Sequence, residues 1–368
     1  MKITAAVVRT AGGPFTIETL TMDEIAPDEV LVRIVGAGLC HTDLVVRDQV
    51  LPAPLPAVLG HEGAGVVEAV GAQVTHLAPG DHVILGFAAC RQCAQCMAGH
   101  PAYCEHFGPL NFGGCRPDGT GCLHDEAGKV SSHFFGQSSF ASHAVVAAHN
   151  VVKVDKDVSL EILGPLGCGI MTGAGTVFHA LDMQPGETLL VIGGGPVGLS
   201  AIMAARVRGV ERIVLADPVA SRRAMGLELG ASDTIDVGAG DMAEQLRRII
   251  PQGVTCVFDS SGVVAAIQAG VACLAMRGRL ALVGVPRRLD DAISLNIVDM
   301  LSRGISVCGA TEGDADPQTF LPYLIDLHRE GRFPFDRLVT TYPLGQINQA
   351  IADQHAGQCV KVVLTTAE

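Results

Sequence analysis

The chain reads as an α/β protein in two parts: a mostly-β unit, then a doubly wound parallel sheet with helices on both faces. Three observations predict this. Up to about residue 155, short runs such as EVLVRIVGAG, GAGVVEAVG and DHVILGF are rich in Val and Ile and are broken by Gly and Pro. From about residue 170 the texture alternates. Helix-like GIMTGAGTVFHALDM precedes strand-like TLLVIGGG, helix-like PVGLSAIMAARVRG and strand-like ERIVLAD, and RRAMGLELG, TCVFDSSG, AIQAGVACLAMRG and RLALVGVP continue the pattern. Strands alternating with helices imply crossover units and a parallel sheet. Finally, 368 residues exceed one small core and suit two domains. Toward the end, DPQTFLPYLIDLHREG reads as an amphipathic helix, and KVVLTT supplies a strand able to rejoin the first unit.

Composition narrows the function classes. Nearly half the residues are hydrophobic, with 44 glycines, three tyrosines and no tryptophan, a soluble, turn-rich pattern. A formal charge of −13 argues against nucleic acid or an anionic membrane as partner. No apolar stretch is long enough to span a bilayer, and MKITAAVVRT lacks the apolar core of a signal peptide. The expected address is the cytoplasm, where twelve cysteines read as metal ligands and buried small residues rather than disulfides.

In TLLVIGGGPVGLSAIMAA, Gly193, Gly195 and Gly198 follow an apolar strand and open a helix. One glycine permits the tight turn, one lets a pyrophosphate approach the backbone, and one lets the helix close on the sheet. The next strand ends at Asp217, a carboxylate suited to an adenosine ribose and repelling a 2′-phosphate, which favours NAD over NADP. Glycines serving turns only, with Asp217 as a helix cap, are the plainer alternative. Arg222 reads equally as a further ribose contact or as a solvated arginine.

Two sets of metal-ligand residues stand out. CRQCAQCMAGHPAYC places Cys90, Cys93, Cys96 and Cys104 on one loop, as a closed, structural zinc site requires. An iron–sulfur cluster is the rival, but its usual run has the fourth cysteine sooner and before proline, whereas Cys104 precedes Glu105. Separately, GLCHTD, GHEGAG and LGPLGCGIMTG contribute Cys40, His61 and Cys168 from three loops. Each alone is unremarkable, since a lone cysteine is commonly a small buried apolar residue. Together they supply three protein ligands, as a catalytic zinc with an open position needs. Glu62 reads as an outer-sphere carboxylate or an alternative ligand, and Asp43 as a partner for the second His61 nitrogen.

These motifs, in this order over essentially the whole chain, resemble the zinc-dependent medium-chain alcohol dehydrogenases. The resemblance implies a GroES-like catalytic domain from residues 1–170 and 313–368, a Rossmann NAD-binding domain from 171–312, an active site in the cleft, and two zincs per chain. It makes Cys40, His61 and Cys168 catalytic-zinc ligands, the other four cysteines structural ones, and Thr42 the hydroxyl that takes the substrate proton. It implies nicotinamide contacts at Thr172, Val197, Val283 and Val285, and pyrophosphate contacts at His41 and Lys361. A homodimer or homotetramer is implied, assembled through a lobe near the structural zinc and the edge of the Rossmann sheet. Within the family, HFFGQSSFASH and EILGPLGCGI are similar to bacterial aryl-alcohol (benzyl-alcohol) dehydrogenases, while PLNFGG and TEGDADPQ resemble a branch acting on geraniol-type allylic alcohols. Leu51, Phe87, Phe134 and Phe135 fall where substrate-pocket walls are expected. The expected reaction is reversible oxidation of an aromatic or allylic primary alcohol to its aldehyde. Glutathione-dependent formaldehyde oxidation, or a zinc- and NAD-binding protein without turnover, are the alternatives.

Overall fold

The computed structural model describes residues 1–366. The chain packs as two compact units. Among the described residues, one comprises 1–168, 316–323 and 338–366, the other 169–315 and 324–337. Residues 324–337, placed by the resemblance in the first unit, thus pack with the second, burying Leu324, Leu327, Phe333 and Phe335.

The first unit is built on two sheets, one of five strands and one of seven. The central strand of the larger sheet is Glu29–Gly38, in which Val30, Val32 and Ile34 are fully buried at every second position. That period of two is the signature of a strand with one face in the core. It pairs antiparallel with Gly63–Val70, with His143–Ala147 and with Lys361–Thr365. The last pairing brings the chain's final strand beside the turn at Leu39 and Cys40, where the Leu39 N–H donates to the Val362 carbonyl at 3.0 Å. Two metal-ligand loops therefore leave neighbouring strands, at the ends of Glu29–Gly38 and just before Gly63–Val70.

The second unit holds a six-stranded, all-parallel sheet. Numbered in chain order, its strands are Thr188–Ile192, Arg212–Ala216, Asp233–Ile235, Val254–Asp259, Leu274–Leu282 and Ser306–Gly309, and they lie in the spatial order 3-2-1-4-5-6. The order reverses between strands 1 and 4, the switch point where such sheets bind ligands. Strand 1 runs straight into helix Pro196–Val207, with proline at its first position, where the missing N–H costs nothing. Leu190, Ile192, Val214 and Val257 are almost completely buried in the core beneath. Among the described residues no single helix is long and apolar enough to cross a membrane.

Candidate active site

The glycine loop divides its labour by position. Gly193 has φ +99°, which a side chain rarely adopts. A Cβ on Gly198 would lie 1.9 Å from the Gly193 carbonyl oxygen, so only glycine lets the helix pack this close to the strand. A Cβ on Gly195 would meet nothing within 4 Å. Protein packing does not demand glycine there, and the open space leaves the backbone accessible to a phosphate. Asp217 is 2 % exposed; its Oδ2 accepts the Gly194 N–H and its Oδ1 the Val219 N–H, both at 2.7 Å. Arg222 Nη1 lies 3.9 Å from Asp217 Oδ2, on the same edge. Thr172 is half-buried on helix Gly169–Gly175, and Val197 half-buried on the neighbouring helix. Val283 and Val285 follow the carboxyl end of strand 5. All these residues belong to the second unit.

In the first unit, Cys40, His61, Glu62 and Cys168 converge, their donor atoms all within 4.8 Å of one another. Each arrives differently. Cys40 caps helix His41–Arg47, His61 and Glu62 precede strand Gly63–Val70, and Cys168 ends a 3₁₀ turn at Gly164–Gly167. The glycines bring these segments together: a Cβ on Gly38 would sit 1.9 Å from Glu62 Oε2, and one on Gly164 2.2 Å from the Glu62 carbonyl. Asp43, fully buried, accepts from the Cys40 and Gly60 N–H groups and meets His61 Nδ1 at 2.9 Å. With Nδ1–H given to Asp43, Nε2 keeps its lone pair, and that buried atom has no hydrogen-bond partner among the described residues. The Cys40 thiol is held well below the ordinary cysteine range by the Cys168 thiol and then by His61, against burial. An orphaned imidazole nitrogen facing two thiols, one readily ionised, is a donor set that fits zinc.

Glu62 and Lys361 form a buried pair beside this set, Nζ lying 2.7 Å from Oε1 and 2.6 Å from Oε2, with the Leu39 carbonyl at 3.0 Å. Burial pushes the Glu62 carboxyl up to about 7 even though Lys361 pulls it down. Burial would lower the Lys361 pKa, but Glu62 together with the Cys40 and Cys168 thiols outweighs it and the net shift is upward. Lys361 is thus fully buried on an ion pair rather than presented at a surface. His41 is exposed on the first turn of its helix, and Thr42 Oγ1 lies 3.8 Å from Cys40 Sγ.

The four remaining ligand cysteines also converge. Cys90 and Cys96 sulfurs are 4.0 Å apart, as are those of Cys93 and Cys104. A zinc tetrahedron with bonds of about 2.3 Å has edges of about 3.8 Å. The N–H groups of Cys93 and His106 point at the Cys90 and Cys104 sulfurs at 3.3 and 3.4 Å. Backbone N–H groups of Cys96 and Glu105 draw Cys93 down to about 6, while burial pushes Cys96 up to about 12.

Phenylalanines pack on the His61 ring of the catalytic donor set. Phe135 stacks on the His61 ring, centroids 4.4 Å apart and planes at 27°, and Phe134 meets its edge at 5.4 Å. Phe112 contacts both, Phe107 contacts Phe135, and Phe87 contacts Phe107. Leu51 is half-buried. Phe107 and Phe112 were not foreseen from sequence, since a phenylalanine's default place is an ordinary core. Gln137 was also missed. It is 1 % exposed, its Oε1 accepts the Gly63 N–H at 2.9 Å, and its Nε2 donates to the His61 carbonyl at 3.0 Å. It thereby fastens the phenylalanine loop, in which His133, Phe135 and Ser138 all have positive φ, to the ligand turn.

Comparison with known proteins agrees with this geometry. Residues 26–156 match the alcohol dehydrogenase GroES-like domain, and residues 196–328 the zinc-binding dehydrogenase domain. The chain is 48% identical to geraniol dehydrogenase of Castellaniella defragrans, covering 98% of this chain and 96% of that one. It superposes on an alcohol dehydrogenase zinc-binding domain protein from Burkholderia ambifaria with a TM-score of 0.97 and 50% identity over the whole of both chains. Benzyl alcohol dehydrogenase from Acinetobacter calcoaceticus gives 0.96 and 42%, again over both whole chains. With relatives this similar end to end, the chain belongs to the zinc-dependent medium-chain alcohol dehydrogenases.

Proposed function

We propose that this dehydrogenase oxidises aromatic or allylic primary alcohols, of the benzyl alcohol or geraniol kind, to aldehydes with NAD. The observation that carries the proposal is the cage of phenylalanines packed on the ring of His61. A planar, apolar substrate stacks on such walls, whereas a carboxylate-bearing glutathione adduct finds no cation among them. The similar proteins named for geraniol and benzyl alcohol support the same substrate class.

Zinc at Cys40, His61 and Cys168 supplies a Lewis acid for the alcohol oxygen, and NAD supplies the hydride acceptor. Asp43 orients His61 by holding Nδ1–H. Thr42, beside Cys40, takes the substrate's hydroxyl proton and passes it toward the cofactor ribose. Asp217 selects the unphosphorylated ribose, with Arg222 flanking it, while Thr172, Val197, Val283 and Val285 hold the nicotinamide end. His41, exposed at the start of its helix, acts on the pyrophosphate, whereas Lys361 stays paired with Glu62 and braces the ligand turn. The second cluster, Cys90, Cys93, Cys96 and Cys104, holds a structural zinc.

Assembly into a homodimer or homotetramer fits the free edge of the parallel sheet. Strand 6 has one paired neighbour, and Ile297, Val298 and Leu301 just before it are 72–78% exposed. Unpaired edges flanked by apolar side chains are what a second copy covers. Cysteines that serve as metal ligands suit a reducing compartment such as the cytoplasm.

The test is NADH formation from benzyl alcohol, geraniol, ethanol and hydroxymethyl-glutathione with the zinc-replete enzyme. Benzyl alcohol or geraniol should exceed ethanol in kcat/KM by a hundredfold or so, on the order of two buried apolar contacts. Preference for the glutathione adduct, or no NADH from any alcohol, overturns the proposal.

A further inference from the structure

One buried acid of the second unit has no place in the scheme above. Glu312 opens a short turn, Glu312–Asp314, after strand 6, at the carboxyl end of the sheet. It is 8 % exposed, and its φ is +49°; Gly313 and Asp314 follow at +70° and +53°. A left-handed backbone at two acidic residues is strained, and such strain persists only where the surroundings over-determine it. Here they do. A Cβ on Gly313 would lie 2.6 Å from the Met171 carbonyl oxygen and 2.9 Å from the Gly175 Cα, so the turn is pressed against helix Gly169–Gly175. On that helix the Thr172 hydroxyl stands 3.5 Å from Glu312 Oε2. The chain accepts strain to hold a carboxylate against Thr172.

The sheet order says which half of a dinucleotide this charge accompanies. Asp217 ends strand 2 and marks the adenosine half, and the glycine loop after strand 1 marks the phosphates. A dinucleotide crossing the switch point lays its other half over the carboxyl ends of strands 4, 5 and 6. Glu312 follows strand 6 on that side. The nicotinamide ring is cationic when oxidised and neutral once it has accepted a hydride, so a fixed negative charge nearby discriminates between the two.

We propose that Glu312, held by Thr172 and the left-handed turn, is a fixed negative charge on the nicotinamide half of the cofactor site that favours NAD⁺ over NADH. This rests on the cofactor reading above and deepens it. The consequence is a bias toward alcohol oxidation, with NADH bound less tightly and released sooner. Isolated turn chemistry does not explain the residue, because glycine would satisfy the same φ without strain.

The test is equilibrium binding of NADH, NAD⁺ and ADP-ribose to zinc-replete wild type, Glu312→Gln, Glu312→Asp and Glu312→Gly. NADH is followed by its fluorescence, and the other two by competition against it. Loss of one charge at partly buried range should shift the NAD⁺/NADH affinity ratio toward NADH by about tenfold in Glu312→Gln. Glu312→Asp should stay near wild type. Glu312→Gly suits the left-handed backbone, so it folds without the strain and must shift the ratio in the same direction. ADP-ribose, which lacks the ring, should bind all four alike. A ratio unchanged within about twofold in both neutral variants, or ADP-ribose weakened as much as NAD⁺, overturns the proposal. Failure of wild type to bind NADH or ADP-ribose overturns the cofactor reading itself, and this inference with it.

Discussion

The two cysteine-bearing clusters are built on opposite principles. Cys90, Cys93, Cys96 and Cys104 come from one loop whose helices are single turns, and three of them are only partly buried. Cys40, His61 and Cys168 come from three separated segments, with His61 1 % exposed and an aspartate locked behind it. The first cluster rests on bonds local to its own loop, such as Met97 N–H to the Cys93 carbonyl and Cys104 N–H to the Pro101 carbonyl. The second is shaped by the sheet before any metal arrives. A closed set of four thiols suits structure, and a preorganised set of three, walled by phenylalanines, suits chemistry.

The sharpest way to break this contrast is to remove one ligand from each. Cys168→Ser should leave the fold and melting temperature near wild type while lowering kcat by about a thousandfold or more, since a Lewis acid contributes several kcal/mol at the transition state. Cys104→Ser should reduce bound zinc from two to one per chain and lower the melting temperature before it affects chemistry. Zinc stoichiometry, thermal unfolding and steady-state kinetics on both variants decide the matter. Loss of activity without loss of stability in Cys104→Ser alone would reverse the two roles.

A finer test concerns the locked aspartate. Asp43→Asn keeps shape but weakens the acceptor for His61 Nδ1–H. Zinc affinity at the catalytic cluster should fall about 10–100-fold, as for outer partners of metal-binding histidines in general. Chelator competition should show one zinc leaving early and the other unchanged. Parallel loss of both would mean the clusters are not independent.

The same contrast explains what was legible in the sequence. The four-cysteine loop and the glycine loop are local, so spacing alone carries them. The catalytic set was legible only by joining three separated motifs, because topology, not spacing, brings Cys168 to Cys40. Gln137 and the Phe107 and Phe112 rings could not be read, since a buried amide or aromatic ring has no sequence pattern separating a site wall from ordinary core. Strand 6 and helix Ile297–Arg303 escaped for another reason. SVCG is short, and the helix is apolar on an exposed face, which obscures the usual periodicity.

Acid should loosen the catalytic side selectively. Glu29 is 4 % exposed, and Arg116 clasps it with Nε at 2.7 Å and Nη2 at 2.9 Å, while His133 Nε2 stands at 3.5 Å on the loop that carries Phe134. Burial raises the Glu29 pKa, but His133 and Arg116 more than offset it and draw it down to about 2. A depressed carboxyl pKa contributes stability that is present above the unfolded value, near 4.3, and is lost as pH falls toward 2. The contribution is about 3 kcal/mol. Glu29→Gln should therefore be destabilised at pH 6, and the gap from wild type should close between about pH 4 and 2. Urea unfolding across that range measures it, and a pH-independent gap would show that packing, not charge, is what Glu29 contributes.

The smallest expected effect lies at Val45, where the polar run CHTD gives way to apolar residues. The structure buries Val45 to 7 % exposure on helix His41–Arg47, between the equally buried Leu44 and Val46. Val45 itself therefore offers no base to a proton leaving Thr42. Val45→His places an imidazole three positions beyond the hydroxyl. General-base assistance reaches 10²–10⁴-fold where proton transfer limits the rate, and almost nothing where hydride transfer or NADH release does. Burial would also lower the imidazole's pKa, so the new base would be unprotonated even in mild acid, where unassisted proton loss is slowest. The single-turnover rate of hydride transfer in Val45→His should exceed wild type by about tenfold or less at pH 6 and merge with it by pH 9. Superimposable profiles across that range, with the variant folded and carrying both zincs, would show that the proton's exit never limits this enzyme and that a dry helix face costs it nothing in rate.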